Sequence, residues 1–291
     1  MKDCLIVINY NAGKCRRCTP ENVKYALGKQ GENFRYSTLH LPSNQPVNLN
    51  KYHAFAVCGG DGTLQTIMQK IYNLDKTVYY FPCGTLNDKA GAEKYCHALS
   101  SPRQITIGKA DDNLFTYVYA TGAFTEIGYT ASQKSKRQLG VLAYAIKVLK
   151  AYKVNRIECR IETDGKTYQG EFNLVMFIKS PRCFGFNFNK LYDERDLGGH
   201  MVLIRSPKHN GLVGMIEMFF PSFKVFFVGL NKEQDRGTIT FKRVTNATLH
   251  LKKPTYFCVD GEKRTEHGQV DISFEKTMCK LQIIDVKKSN K

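Results

Sequence analysis

Apolar residues in the first third of the chain come in short blocks separated by polar stretches. Cys4 to Asn9 reads as a buried strand, and Ala54 to Cys58 and Val78 to Pro82 repeat that signal. Asn33 to Leu39 is strand-like as well. Between these blocks, Pro20 to Gln30 predicts a helix with proline at its start, and Leu64 to Asn73 predicts another. Such alternation implies a parallel sheet covered by helices, with ligands at the carboxyl ends of the strands.

From Gln104 onward the pattern changes. Gln104 to Gly108, Leu114 to Gly122, Asn155 to Thr163, Lys166 to Ile178 and His200 to Ser206 all read as strands. Thr238 to Phe241, Ala247 to Leu251 and Lys280 to Val286 follow. Asp164-Gly165 is a hairpin signal, and one helix, Leu139 to Lys150, interrupts the strands. The expected architecture is an α/β, Rossmann-like, mostly parallel-sheet domain over residues 1–108 and a mainly antiparallel β-sandwich domain over residues 109–291.

Composition changes this picture in one respect. A hydrophobic content of 42% over 291 residues supplies both cores without staples. The formal charge of +17, however, implies anionic partners: a nucleotide, nucleic acid or an acidic membrane surface. The basic residues form neither one block nor a nucleic-acid-binding motif, so nucleic acid is set aside. An anionic membrane surface is preferred, where each nearby Lys or Arg contributes about 1 kcal/mol. No apolar run reaches the length of a membrane span; the nearest, Met215 to Leu230, is interrupted by Glu217, Pro221 and Lys224.

Candidate chemistry concentrates in two glycine-rich runs, Cys58-Gly59-Gly60-Asp61-Gly62-Thr63 and Pro82-Cys83-Gly84-Thr85-Leu86-Asn87-Asp88. Each follows a strand, and the first leads into a helix, the arrangement that brings backbone N–H groups up to phosphates. Asp61 would repel a nucleotide unless it faces Mg²⁺ or a hydroxyl about to lose its proton, so the pair of loops reads as catalysis on a phosphate. Val259-Asp260-Gly261-Glu262 offers another carboxylate, although Asp-Gly is also a strong hairpin dipeptide.

Gly59-Gly60-Asp61-Gly62-Thr63 followed by Gly84-Thr85-Leu86-Asn87-Asp88 resembles the signature pair of the diacylglycerol kinase catalytic-domain family, in its soluble bacterial lipid kinase branch. Asn9-Tyr10-Asn11-Ala12-Gly13-Lys14 resembles the family's opening motif, with Tyr10 and Ala12 in place of its proline and serine. Gly122-Ala123-Phe124-Thr125, Leu139 to Tyr144 and the Asp260-Gly261-Glu262 turn keep the family's order. The resemblance implies ATP and Mg²⁺ as cofactors and a lipid hydroxyl, foremost that of diacylglycerol, as acceptor. It places the active site in the cleft between the domains, with Asp61 and Asp260 catalytic, Asp260 as general base. Asn9, Gly13, Lys14, Gly59, Gly60, Gly62, Thr63, Gly84, Thr85 and Asn87 would hold the nucleotide, with Asp88 bracing the second loop. Asp61, Glu262 and Asp196 are the metal candidates, Asp196 by analogy with a structural Mg²⁺ site whose second aspartate is here Leu197.

Thr106 stands where the family often has an aspartate, and Lys89 where it usually has an aromatic. Thr106 and Leu197 keep open a nucleotide-binding regulator without turnover, and another lipid alcohol as acceptor is also open. The expected setting is the cytoplasm, at the inner face of the membrane; pairing into a homodimer is open. Cys4, Cys58, Cys83, Cys159, Cys258 and Cys279 read as reduced core thiols, with no secretory signal expected ahead of them. Cys15-Arg16-Arg17-Cys18 has metal-ligand spacing, with only Cys96-His97 to complete a zinc site, and reads rather as a basic loop facing the nucleotide. Phe184, Phe186, Phe188, Phe219, Phe220, Phe223, Phe226 and Phe227 read first as core, and otherwise as lipid contacts beside Lys190 and Lys224.

Overall fold

A computed structural model describes residues 1–13, 15, 18–43, 46–84, 87–91, 100–123, 125, 154–183 and 185–284, the side chain of Arg236 excepted. The expected helix Leu139 to Lys150, and Lys14, Thr85, Cys96, His97, Phe124 and Phe184, lie outside the described residues. The chain divides into two compact units, Met1–Ile105 with Lys276–Lys291, and Thr106–Glu275. The sequence places all of 109–291 in the second domain; the last strand instead returns to the first unit, because its end pairs with a strand there.

In the first unit, strand β1 (Lys2–Asn9) leads to helix α1 (Pro20–Lys29), then β2 (Phe34–Leu41), β3 (Ala54–Gly59), helix α2 (Asp61–Ile71) and β4 (Thr77–Pro82). β1 pairs in parallel with β2 and β3, β3 with β4, and β4 with Lys280 to Ile283. The Thr19 side chain accepts the Asn22 N–H at 3.3 Å and Pro20 opens the first turn, so α1 starts where its sequence says it should. In α2, Leu64, Ile67, Met68 and Ile71 are buried at the spacing of one helical face. Because β1, β3 and β4 are parallel, the segments that follow them share one end of the sheet. Both glycine runs are there.

The second unit is antiparallel. β5 (Arg103–Ala110), β6 (Asn113–Phe115), β7 (Val118–Gly122), β8 (Ile157–Thr163) and β9 (Lys166–Ile178) come first. β10 (Arg182–Cys183), β11 (Phe186–Asn187) and β12 (Gly199–Arg205) follow, then helix α3 (Gly211–Phe223), which continues as a π-helix over Lys224–Val228. β13 (Gln234–Arg236), β14 (Ile239–Val244), β15 (Asn246–Val259) and β16 (Glu262–Ile283) complete it. Asp164 and Gly165 turn between β8 and β9 with φ of +48° and +72°, the backbone a two-residue hairpin requires.

β7 and β8 share one slot in the sheet, each pairing with β9 on one side and β15 on the other. β9 and β12 are apolar on both faces, and alternate residues feed two cores. One contains Val175, Phe177, Met201 and Leu203; the other contains Leu174, Met176, Val202 and Ile204. The second core is closed by Met218 of α3 and by Val225 and Phe226 of its π-helical end, where a pure sandwich would place another sheet.

Candidate functional site

The two glycine runs touch through their backbones. A Cβ built on Gly84 would lie 2.5 Å from the Gly60 Cα, and one on Gly59 would enter the Thr63 side chain. The Gly84 N–H donates to the Gly59 carbonyl at 3.1 Å, and the Cys83 N–H does so at 2.8 Å. No other residue type permits this approach. Gly60 is the N-cap of α2 and carries no side-chain cap, which leaves that helix start suited to an anion.

Asp61 opens α2 and is buried. Its carboxylate accepts the Asp88 N–H at 2.6 Å, the Lys89 N–H at 3.4 Å and the Tyr80 hydroxyl at 3.3 Å. It therefore holds the second loop against the first. Asn87 takes φ +49° and its amide donates to the Gly84 carbonyl at 3.0 Å; its buried Oδ1 has no protein partner. Asn9, at the end of β1, donates to Thr63 Oγ1 at 2.9 Å and so joins a third segment to the group. Gly13 is exposed just beyond. Gly59, Gly60, Asp61, Thr63, Gly84, Asn87 and Asn9 are thus brought together.

Asp260 is elsewhere in the fold's logic. With Gly261 it forms the turn between β15 and β16, at φ +50° and +96°. Its buried carboxylate accepts the Thr116 hydroxyl at 2.8 Å, the Tyr117 and Val118 N–H groups at 3.0 Å each, and the Thr116 N–H. Burial pushes its pKa up, and those four hydrogen bonds oppose the shift. The carboxylate is engaged with its own protein, which a general base must not be at the moment of reaction. Glu262, two residues on, is exposed.

Asp196 is not placed as a metal ligand. Arg243 grips its carboxylate with two bonds, of 2.7 Å and 2.5 Å, and the Gly198 N–H adds a third at 2.9 Å. The guanidinium holds the Asp196 carboxyl down at about 2. The cation in this turn is a lysine: the buried Lys179 ammonium donates to the carbonyls of Asp193 at 3.0 Å, Gly198 at 2.9 Å and Asp196. Thr106 donates its hydroxyl to the same Asp196 carbonyl at 3.1 Å. The sequence reading missed Lys179 and Arg243. A lysine directly after the apolar run Leu174 to Ile178 was the available signal. Among the described residues no cluster of three or more His, Cys, Asp or Glu could hold a metal ion.

Two further expectations change. Phe188 and Phe226 are buried and Phe186 packs against the same core, as expected of core residues. Phe219, Phe220, Phe223 and Phe227 are exposed instead, along with Leu212, Val213, Ile216 and Val228 of the same helix. The helix buries one narrow face only. Cys83 is not a free thiol: it forms a disulfide with Cys15. Cys4, Cys58, Cys159, Cys258 and Cys279 are free and buried, as expected.

The family model of the diacylglycerol kinase catalytic domain matches residues 3–108 of this chain. A diacylglycerol kinase of Staphylococcus carnosus (strain TM300) is 30% identical over 235 residues, covering 72% of this chain and 74% of that protein. One of Bacillus subtilis (strain 168) is 30% identical over 189 residues, covering 58% and 60%. Among solved structures, a diacylglycerol kinase from Bacillus anthracis str. Sterne superposes with a TM-score of 0.64 at 16% identity, over 96% of each chain. Likeness at that identity concerns the fold.

Proposed function

The chain belongs to the diacylglycerol kinase family and is a kinase, and on that premise we propose that it transfers the γ-phosphate of ATP to the hydroxyl of diacylglycerol, giving phosphatidic acid. The observation that carries this reading is the backbone contact between Gly60 and Gly84 at the start of α2, a cradle that any Cβ would fill. Gly59, Gly60, Gly62, Thr63, Gly84, Thr85 and Asn87 take the phosphates, with Asn9, Gly13 and Lys14 beside them. The buried, unpartnered Oδ1 of Asn87 is a polar atom that a ligand hydroxyl or amine would satisfy.

Mg²⁺ fits this site as a companion of ATP. Such ions are held by one or two carboxylates and the substrate's phosphates rather than by a protein cage. Asp61 is the carboxylate beside the cradle, and bound Mg²⁺ would neutralise phosphate charge as the phosphoryl group moves. The protein's own contribution is positioning. Asp61 keeps the second loop on the first, and Asp260 holds Thr116 to Val118 in place. Asp260 is a positioning residue in this account, and Glu262 is the exposed carboxylate of that turn.

The acceptor lies in a bilayer, and α3 supplies the contact with it. Leu212 is 73% exposed and Phe220 69%. Apolar exposure on this scale along one helix marks an interaction surface. Lys208, Lys224 and Lys232 flank the helix in sequence, so an anionic membrane interface at the cytoplasmic face suits both its apolar and its charged residues. The test is incubation of the purified protein with labelled ATP and vesicles carrying diacylglycerol, monoacylglycerol or a sphingoid base. Label in phosphatidic acid supports the proposal. Label in another lipid alone reassigns the acceptor, and ATP binding without any transfer identifies a regulator.

A further inference from the structure

Four of the cysteines converge in one buried cluster beneath the glycine loops. Cys15 and Cys18 lie between β1 and α1, Cys58 near the end of β3, and Cys83 directly before Gly84. Cys15 and Cys83 form a disulfide with Cα atoms 5.1 Å apart. Cys18 and Cys58 are thiols that hydrogen-bond to each other. Phosphate binding uses none of them. In a protein working on ATP in a reducing cytosol, a disulfide is catalytic or redox-sensing rather than a staple; to that extent the inference rests on the kinase reading.

We propose that Cys15, Cys18, Cys58 and Cys83 form a thiol–disulfide exchange site that ties the β1–α1 segment to the second glycine loop and releases it to a dithiol reductant. Cys18 is the built-in attacking group. The hydrogen bond from Cys58 favours its thiolate, while Cys58 itself is pushed well up by that bond and by burial. The Cys18 thiolate attacks Cys15 Sγ; the Cys15–Cys18 bond forms, the Cys15–Cys83 bond breaks, and Cys83 leaves as a thiolate. Cys83 takes up one proton for the one Cys18 gave up, and no electrons enter or leave. A dithiol thiolate then attacks Cys18 Sγ and Cys15 leaves. The reductant's second thiol displaces Cys18 and closes the reductant's own disulfide, so two electrons and two protons pass to the protein.

The exchange bears on the nucleotide because Cys83 anchors the cradle. Its N–H is bonded to Gly59, and the next residue is the glycine that meets Gly60. With the tether closed the loops are preorganised; with it open, ATP must order them on binding.

Peptide mapping after acid quench and alkylation, over a dithiothreitol series on the full chain, tests this. The expected course is a Cys15–Cys83 link without reductant, a Cys15–Cys18 link at intermediate concentration, and free thiols at high concentration. Cys18→Ser should lack the intermediate and resist reduction about tenfold longer. Calorimetry should find ATP bound about threefold or more tightly by the oxidised chain. The proposal is overturned if a disulfide oxidant fails to link Cys15 to Cys83, or if the two redox states bind ATP equally. Stoichiometric zinc held by the four thiolates would overturn it too. Should neither state bind ATP, the kinase reading fails, while the map still decides the exchange chemistry.

Discussion

Lys179 shows how a single side chain can take over the work of an ion. Its ammonium fills a ring of three backbone carbonyls, those of Asp193, Asp196 and Gly198, while Arg243 neutralises the Asp196 carboxylate. Thermal stability without nucleotide should therefore be the same in EDTA and in Mg²⁺. Lys179→Met should lower it, since each buried acceptor left unpaired costs about 1–3 kcal/mol. Asp260→Asn is the second test at this scale. An amide cannot accept from all four donors, so its NH₂ group would face an N–H. The variant should lose both melting temperature and turnover. Loss of turnover at unchanged melting temperature would return Asp260 to the role of general base. The sequence made Asp61 and the glycines legible because their constraint is local: a backbone approach that only glycine permits. It left Lys179 and Arg243 illegible because their partners, backbone carbonyls and a carboxylate, are brought to them only by the folded turn.

Among the elements, the strands and first two helices followed from pattern with shifts of a few residues, since alternation and capping are short-range signals. α3 did not. Gly211 to Val228 reads as an interrupted apolar run, and neither Pro221 nor Lys224 prevents a helix that ends in a π-helical turn. Which of its faces is buried depends on the core it meets, and that core is built by β9, β12 and β14. Replacing both Leu212 and Phe220 by serine should preserve folding and ATP binding, since both side chains are exposed. Association with anionic vesicles should fall about tenfold or more, each large apolar group contributing about 1.5–3 kcal/mol when buried. If α3 is instead covered by a second copy of the chain, the variant will change sedimentation and leave vesicle binding intact.

For the whole molecule, charge and protonation set the working conditions. His200 is buried against Phe241, and burial, with Lys179 nearby, holds its pKa down at about 4. Its ordinary value is 6.5, so between these limits the unfolded chain binds more protons than the folded one. Stability is then full above about 6.5, falls as pH drops towards 4, and is flat from this group below that. Denaturant melts at pH 7 and pH 5 should show the drop, and His200→Gln should flatten it. The two-unit organisation was legible from the change of period near Gln104, but the return of the last strand was not, because strand partners far apart in sequence leave no local mark.

The central claim is phosphoryl transfer to a lipid hydroxyl at the paired glycine loops. Its most direct measurement is labelled phosphatidic acid formed from ATP and diacylglycerol vesicles, by wild type and by Gly84→Val side by side. The Val side chain would occupy the space of the Gly60 backbone, 2.5 Å from where its Cβ must sit. Wild type should make labelled phosphatidic acid, and the folded variant should lose about a hundredfold in rate together with its ATP affinity. Equal rates in the two proteins, or no labelled lipid from wild type that binds ATP, would contradict the account.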